Sequence, residues 1–196
     1  MMLRDGSQVD VRPISATDRD LIRQGFERLS PESRYRRFLS PVPELDNRTL
    51  SYLTDVDHHD HEALVALDSA TGDGVGVARF VRDPTEPRSA EVAVTVVDDW
   101  QGRGLGTALL DALADRAREE DVRRFTALVL ADNRNMLGML GEIGSARVVD
   151  REQGTVALAV DLPAEGVAPE LVDWLRAAAR GLVELIRRDE PRPAPR

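Results

Sequence analysis

Three glycines at alternate positions, Gly102, Gly104 and Gly106, stand in VVDDWQGRGLGTALLDAL (residues 96–113), between an apolar run of strand character and one with helical spacing. Glycine costs a helix interior about 0.8–1.0 kcal/mol relative to alanine, so a helix that begins this way gives up stability in its first turn. A strand that runs through a glycine turn into a helix gathers unpaired backbone N–H groups and the positive end of the helix dipole at one spot. Such a spot binds anions, and the missing Cβ atoms let an oxyanion such as a pyrophosphate approach the main chain. The plainer alternative is a tight turn and nothing more. Neither GxxxxGK[ST] nor GxGxxG describes the spacing, because Thr107 occupies the last glycine position of the second pattern.

The elements around this turn follow from periodicity. SQVDVRPI (residues 7–14) alternates and reads as a strand. Ser15 and Asp18 resemble a capping box ahead of Leu21, Ile22, Phe26 and Leu29, which recur at helical spacing. A second helix is expected from Pro31 with Ser30 as its cap, and a third from about Glu44 to Leu53. EALVALD, GVGVARFVRD and SAEVAVTVV are β-rich runs separated by turn signals, which predicts an antiparallel meander. Leu105, Leu109 and Leu113, with Ala108 and Ala112, mark a helix after the glycines. RRFTALVL then reads as a buried strand, NRNMLGMLGEI as a short helix, and ARVVD and TVALAVDL as two closing strands. This order predicts an α/β or α+β domain over residues 1–163. Residues 164–196 form an extension in which Leu171, Trp174, Leu175, Ala178, Leu182, Leu185 and Ile186 mark an amphipathic helix ahead of a frayed end. That helix packs on its own domain or pairs two copies into a homodimer.

Composition narrows the function classes. The chain has 42% hydrophobic and 31% charged residues and no cysteine, which excludes disulfides, thiolate zinc sites and a cysteine nucleophile. A net charge of −9 argues against a nucleic-acid surface, which needs clustered basic residues, and fits a cationic partner better. No run approaches the roughly 20 apolar residues of a membrane span, and the amino terminus has no apolar signal core. The expectation is a cytoplasmic protein with no membrane partner.

VVDDWQGRGLGTALL resembles the acyl-CoA-binding motif of the GNAT superfamily of N-acetyltransferases, with Gln101, Gly104 and Gly106 at its defining positions; the preceding strand, Trp100, the following helix and ADNRNM…GEIG stand in family order. The resemblance spans roughly residues 7 to 162. It implies the GNAT fold, a mixed and mostly antiparallel sheet of six or seven strands flanked by helices, and acetyl-CoA as co-substrate without a metal. It also implies that Gln101, Gly102, Arg103, Gly104, Leu105, Gly106 and Thr107 wrap the CoA pyrophosphate, with Arg103 adding a cation at the rim. By the same resemblance the strand before them splays from RRFTALVL to admit the pantetheine arm, and the backbone of Val96 and Val97 pairs with that arm and offers an N–H to the thioester oxygen. Asn133 matches the asparagine that helps hold the arm. LSPESRYRRFLSP, EALVAL, ARFVRD and AEVAVTV are further similar to bacterial protein lysine acetyltransferases of the Pat type. Those proteins often carry a cyclic-nucleotide-binding or acyl-CoA-synthetase-like module; neither fits within this chain, so regulation by one is not carried over.

Acetyl transfer to an amine requires that a proton leave the ammonium before attack. Glu91 is the candidate base. Strand periodicity puts Glu91, Ala93, Thr95 and Val97 on one face, and a buried carboxyl there has a raised pKa that suits the role. By periodicity alone it is equally a strand-end glutamate in solvent or paired with Arg79 or Arg82; the Pat-type resemblance implies catalysis. A tyrosine that protonates the departing thiolate in many GNAT enzymes is replaced here by Leu140, ahead of Gly144, and nothing ties Tyr35 or Tyr52 to the site. All three histidines lie in DVDHHDHEAL. Clustered in one loop, they lack the converging spacing of a metal site and are expected as a polar wall where Asp57 and Asp60 receive a cationic acceptor, modulated by protonation of the histidines. The reading is an N-acetyltransferase acting on a protein lysine through a ternary complex. A small-amine acetyltransferase and a non-catalytic acetyl-CoA sensor are the alternatives, the missing tyrosine favouring the sensor.

Overall fold

The alternating first run becomes β1 (Val9–Pro13), at one edge of a seven-stranded sheet, in a computed structural model that describes residues 1–163. β1 pairs antiparallel with β2 (His61–Asp68), and the connection between them holds α1 (Arg19–Glu27), α2 (Pro31–Phe38) and α3 (Asn47–Thr54). Each helix start has a side-chain cause. The Ser15 N–H donates to the Asp18 carboxylate at 2.8 Å, and Arg12 grips the same carboxylate at 2.7 Å, so the chain leaves β1 at a fixed angle. Ser30 Oγ accepts the N–H of Ser33 ahead of Pro31. α3 begins at Asn47 rather than near Glu44, because Asp46 accepts the Thr49 N–H at 2.7 Å and so caps the helix there.

The meander is present as β2, β3 (Gly74–Arg82) and β4 (Ser89–Val96), all antiparallel. α4 (Leu105–Glu119) then crosses over to β5 (Arg124–Leu130), followed by α5 (Arg134–Ile143), β6 (Ser145–Glu152) and β7 (Thr155–Asp161). The sheet order is β1-β2-β3-β4-β5-β7-β6. A long crossover is the only way to place parallel neighbours side by side, and β4 with β5 is the parallel pair. Their pairing is confined to Ser89, Ala90 and Glu91 against Arg124, Phe125 and Thr126. β5 stays paired with β7 along its whole length. Beyond Glu91 the two middle strands therefore diverge, and an opening forms in the centre of the sheet.

The helices cover both faces. α4 buries Leu105, Leu109, Leu110 and Leu113 against β3 and β4, at about 1.5–3 kcal/mol for each leucine withdrawn from water. Ala93, Thr95 and Val97 face the opposite side, over Leu21, Phe26 and Leu29. Among the described residues no helix is long and apolar enough to cross a membrane. The extension from residue 164, its amphipathic helix and any homodimer contact through it lie outside the described residues.

Candidate active site

The divergence of β4 and β5 opens a cleft of about 650 Å³. Glu91 to Val96 form one wall, Ala127 to Val129 face them, the turn from Trp100 to Thr107 closes one end, and α5 contributes Asn133, Met136 and Met139. Backbone direction matters here. The Val97 N–H donates to the Val75 carbonyl at 3.1 Å, so by the alternation of an antiparallel ladder Thr95, Ala93 and Glu91 also turn their backbone polar groups toward β3. Val92, Val94 and Val96 turn theirs toward the opening. Val97 thus departs from the expectation that paired it with Val96: its N–H is spent within the sheet, its side chain is buried, and it lies outside the cleft.

Two separate causes explain the three glycines. Gly102 and Gly104 have φ of +77° and +90°, a backbone region that residues with a Cβ enter only at a cost. Gly104 is also the N-cap of α4 and supplies no side-chain acceptor. As a result the backbone N–H groups from Gly102 through Thr107 find no acceptor among the described residues. Gly106 serves packing instead. A Cβ there would sit 2.7 Å from Met139 Sδ, so the glycine lets α5 approach α4.

Side chains of the turn are mostly committed to holding it. Gln101 Nε2 donates to the Val96 carbonyl at 3.1 Å and to Ser33 Oγ at 3.3 Å, tying the turn to β4 and α2. Asp98 accepts the Ser30 N–H at 3.1 Å. Leu105 is buried. Thr107 donates to Glu142 across to α5. Arg103, expected at the rim, does not line the cleft. Asn133 does line it, but its side-chain oxygen accepts the Met136 N–H at 3.2 Å as the N-cap of α5, which leaves its amide N–H₂ for a ligand.

Glu91 is exposed on the cleft wall, and its side chain makes no hydrogen bond or ion pair with any described residue. Neither partner considered from sequence holds it: Arg82 binds Asp60, and Arg79 donates to the Leu53 carbonyl and to His61. Arg37, which no sequence signal marked, lines the cleft in the electrostatic reach of Glu91; burial pushes its guanidinium below its usual pKa. Burial, with the charge of Arg37 next, pushes Arg79 down to about 9. Leu140 is fully buried and supplies no acid. Tyr35 and Tyr52 do not line the cleft.

The histidine stretch corrects the expectation of an acceptor wall. None of residues 55–62 lines the cleft. Asp57 accepts the backbone N–H groups of His59, Asp60 and His61, Arg82 binds Asp60, and the wholly buried Glu62 holds His58 and Arg116. The loop is a corner that fastens β2 and β3 to α4. Among the described residues no group of three or more such side chains is gathered to hold a metal ion.

Comparison with known proteins agrees with this fold. The profile of the Acetyltransferase (GNAT) family matches residues 23–144. Acetyltransferase Pat of Mycolicibacterium smegmatis is 36% identical over 189 residues, which is 95% of this chain and 56% of that protein. Acetyltransferase PA5475 of Pseudomonas aeruginosa is 36% identical over 155 residues, 78% of this chain and 83% of that protein. The crystal structure of the GNAT domain of S. lividans PAT superposes with a TM-score of 0.76 at 34% identity, covering 83% of this chain and 95% of that one. The chain thus spans little more than half the length of the mycobacterial protein.

Proposed function

The chain belongs to the acetyltransferase (GNAT) family, and from that premise we propose that it transfers an acetyl group from acetyl-CoA to a primary amine, a protein lysine, by direct attack with both substrates bound. One juxtaposition carries the reading: the open backbone donors from Gly102 to Thr107 and the unpaired carboxylate of Glu91 share a single cleft. Bound acetyl-CoA supplies the activated acyl carbonyl. The turn's N–H groups and the α4 dipole receive its diphosphate. Val94 and Val96 present strand-edge polar groups to the arm, and one of their N–H groups is the donor available to the acyl oxygen. Glu91 takes the ammonium proton, directly or through water, a service worth about 10² to 10⁴ in rate. With Leu140 in place of an acid, water protonates the departing thiolate, since a thiol is acidic enough to leave in that form.

The preference for protein lysine rests on similarity to Pat proteins, and the net charge of −9 suits a cationic acceptor. A cytoplasmic site fits that acceptor. All 26 basic side chains of this chain are arginine, so none of them can serve as a lysine acceptor and confuse the assay. Free thiol release from acetyl-CoA with a lysine peptide is expected for the wild type. In Glu91→Gln the rate should fall about a hundredfold or more near neutral pH, with CoA affinity intact and the gap narrowing as the amine deprotonates unaided at higher pH. Equal rates at every pH remove Glu91 from the role. Turnover with polyamines alone moves the acceptor to small amines, and CoA binding without any thiol release makes the protein a sensor.

A further inference from the structure

We infer that Arg4, and not Arg103, supplies the cation that meets a phosphate of the coenzyme at the start of α4, and that Arg103 fixes the turn that carries Arg4; this rests on the acetyl-CoA reading above. Arg103 is engaged elsewhere. Its Nη2 donates to the Asp99 carbonyl at 2.7 Å and its Nη1 to Ser7 Oγ at 3.2 Å, and Asp5 Oδ2 lies 3.4 Å away. The guanidinium also sits 4.7 Å from the ring centroid of Trp100, itself buried. Turning it toward a ligand would break all of these contacts at once.

Those contacts reach back to a tight turn at the start of the chain. The Leu3 N–H donates to the Ser7 carbonyl at 2.8 Å, Gly6 N–H to the Leu3 carbonyl at 3.1 Å, and Gly6 adopts φ +86°. Asp5 closes the turn on Ser7, whose N–H and hydroxyl donate to it at 3.0 and 2.9 Å, and hydrogen bonding from that N–H keeps its carboxyl below the usual range, ionised opposite Arg103. Leu3 anchors the turn in the core. Between these fixed points stands Arg4. Its Cγ and Cδ lie 3.4 Å from where a Cβ of Gly104 would be, and it lines the same cleft as Gly102, Gly104 and Thr107. It makes no hydrogen bond or ion pair with any described residue. An arginine laid across a bare glycine cap, beside open N–H groups and without a carboxylate of its own, offers the planar fork that matches a phosphate.

Calorimetry on the full chain with CoA and with dephospho-CoA, which lacks the ribose 3′-phosphate, tests this. Arg4→Gln should weaken CoA binding about tenfold at low salt and flatten its salt dependence. Arg4→Lys should fall between in affinity, with Tm unchanged. If Arg4 meets the ribose phosphate, Arg4→Gln and wild type bind dephospho-CoA alike; if it meets the diphosphate, the tenfold loss persists there. An Arg4→Gln protein with wild-type affinity for CoA overturns the inference. Wild-type protein without CoA affinity overturns the acetyl-CoA reading and this inference together, a distinct result. Because Arg103 is a positioning residue, Arg103→Gln should lower Tm and leave Arg4→Gln with little further effect on affinity; additive losses overturn that half.

Discussion

The turn at residues 97–107 and the corner at residues 57–62 are both dense in polar groups, but they close differently. In the corner a single oxygen of Asp57 accepts three successive N–H groups, at 3.0, 2.9 and 2.8 Å. Glu62, without exposed surface, is held by His58 at 2.7 Å, by its neighbour's N–H at 2.8 Å and by Arg116 at 3.1 Å. The turn does the opposite with its main chain: side chains such as Gln101 and Arg103 brace it, while its N–H groups from Gly102 through Thr107 find no acceptor among the described residues. A buried polar cluster that satisfies itself is fold. Donors held in place and left open at a helix start suit the anion proposed for them, because the dipole there favours negative charge.

The largest effect expected from this contrast is in Gly104→Glu. A side chain at φ +90° costs about 1–2 kcal/mol, and the carboxylate would occupy the place of the anion it mimics. CoA binding should weaken by more than about a hundredfold, and calorimetry showing normal affinity would break the assignment of the turn. Next comes Glu62→Gln in the corner. Removing one partner of a buried pair costs about 2 kcal/mol when the other, here Arg116, keeps some water contact, so Tm should drop by roughly 4–8 °C with CoA affinity of the folded protein unchanged. An unchanged Tm with weaker CoA binding would erase the distinction between the two regions.

The difference also explains what was legible in the sequence. The strand, glycine turn and helix were readable because each carries a local signature: β-rich valines, Gly104 where a cap belongs, leucines at helical spacing. The splay of β4 from β5 was not derivable from either strand alone and entered through resemblance, since register between distant strands leaves no local mark. The place of Arg103 at the rim likewise came only through resemblance, whereas its partners Asp5 and Ser7 lie at the far end of the chain. Arg4 and Arg37 had no signal at all, because each matters only through the cleft it reaches. DVDHHDHEAL looked functional by composition, and only the hydrogen bonds of Asp57 and Glu62 show it to be a fastening. Gly106 had a plain cause, the sulfur of Met139, invisible until α5 is laid on α4.

The smallest effect sharpens the contrast within the corner itself. His61 Nε2 lies 3.1 Å from Arg79 Nη1, and because a guanidinium only donates, that nitrogen must accept and the imidazole must be neutral. Burial, then the charge of Arg79, lowers its pKa to about 4, against the pull of Asp57 and Glu62. The unfolded chain therefore binds a proton near pH 6.5 that the folded protein refuses until about pH 4. Stability from this group is complete above pH 6.5 and drains away as the pH falls toward 4. Allowing for partial exposure, about 1 kcal/mol is at stake. Comparing Tm at pH 7.5 and pH 5 in wild type and His61→Gln isolates this histidine from His58 and His59, which remain in both proteins. The acid-induced drop should be smaller in the variant by about 2–4 °C. An equal drop in both would mean that Arg79 moves aside and lets the imidazole charge, and the corner would then be less closed than its hydrogen bonds imply.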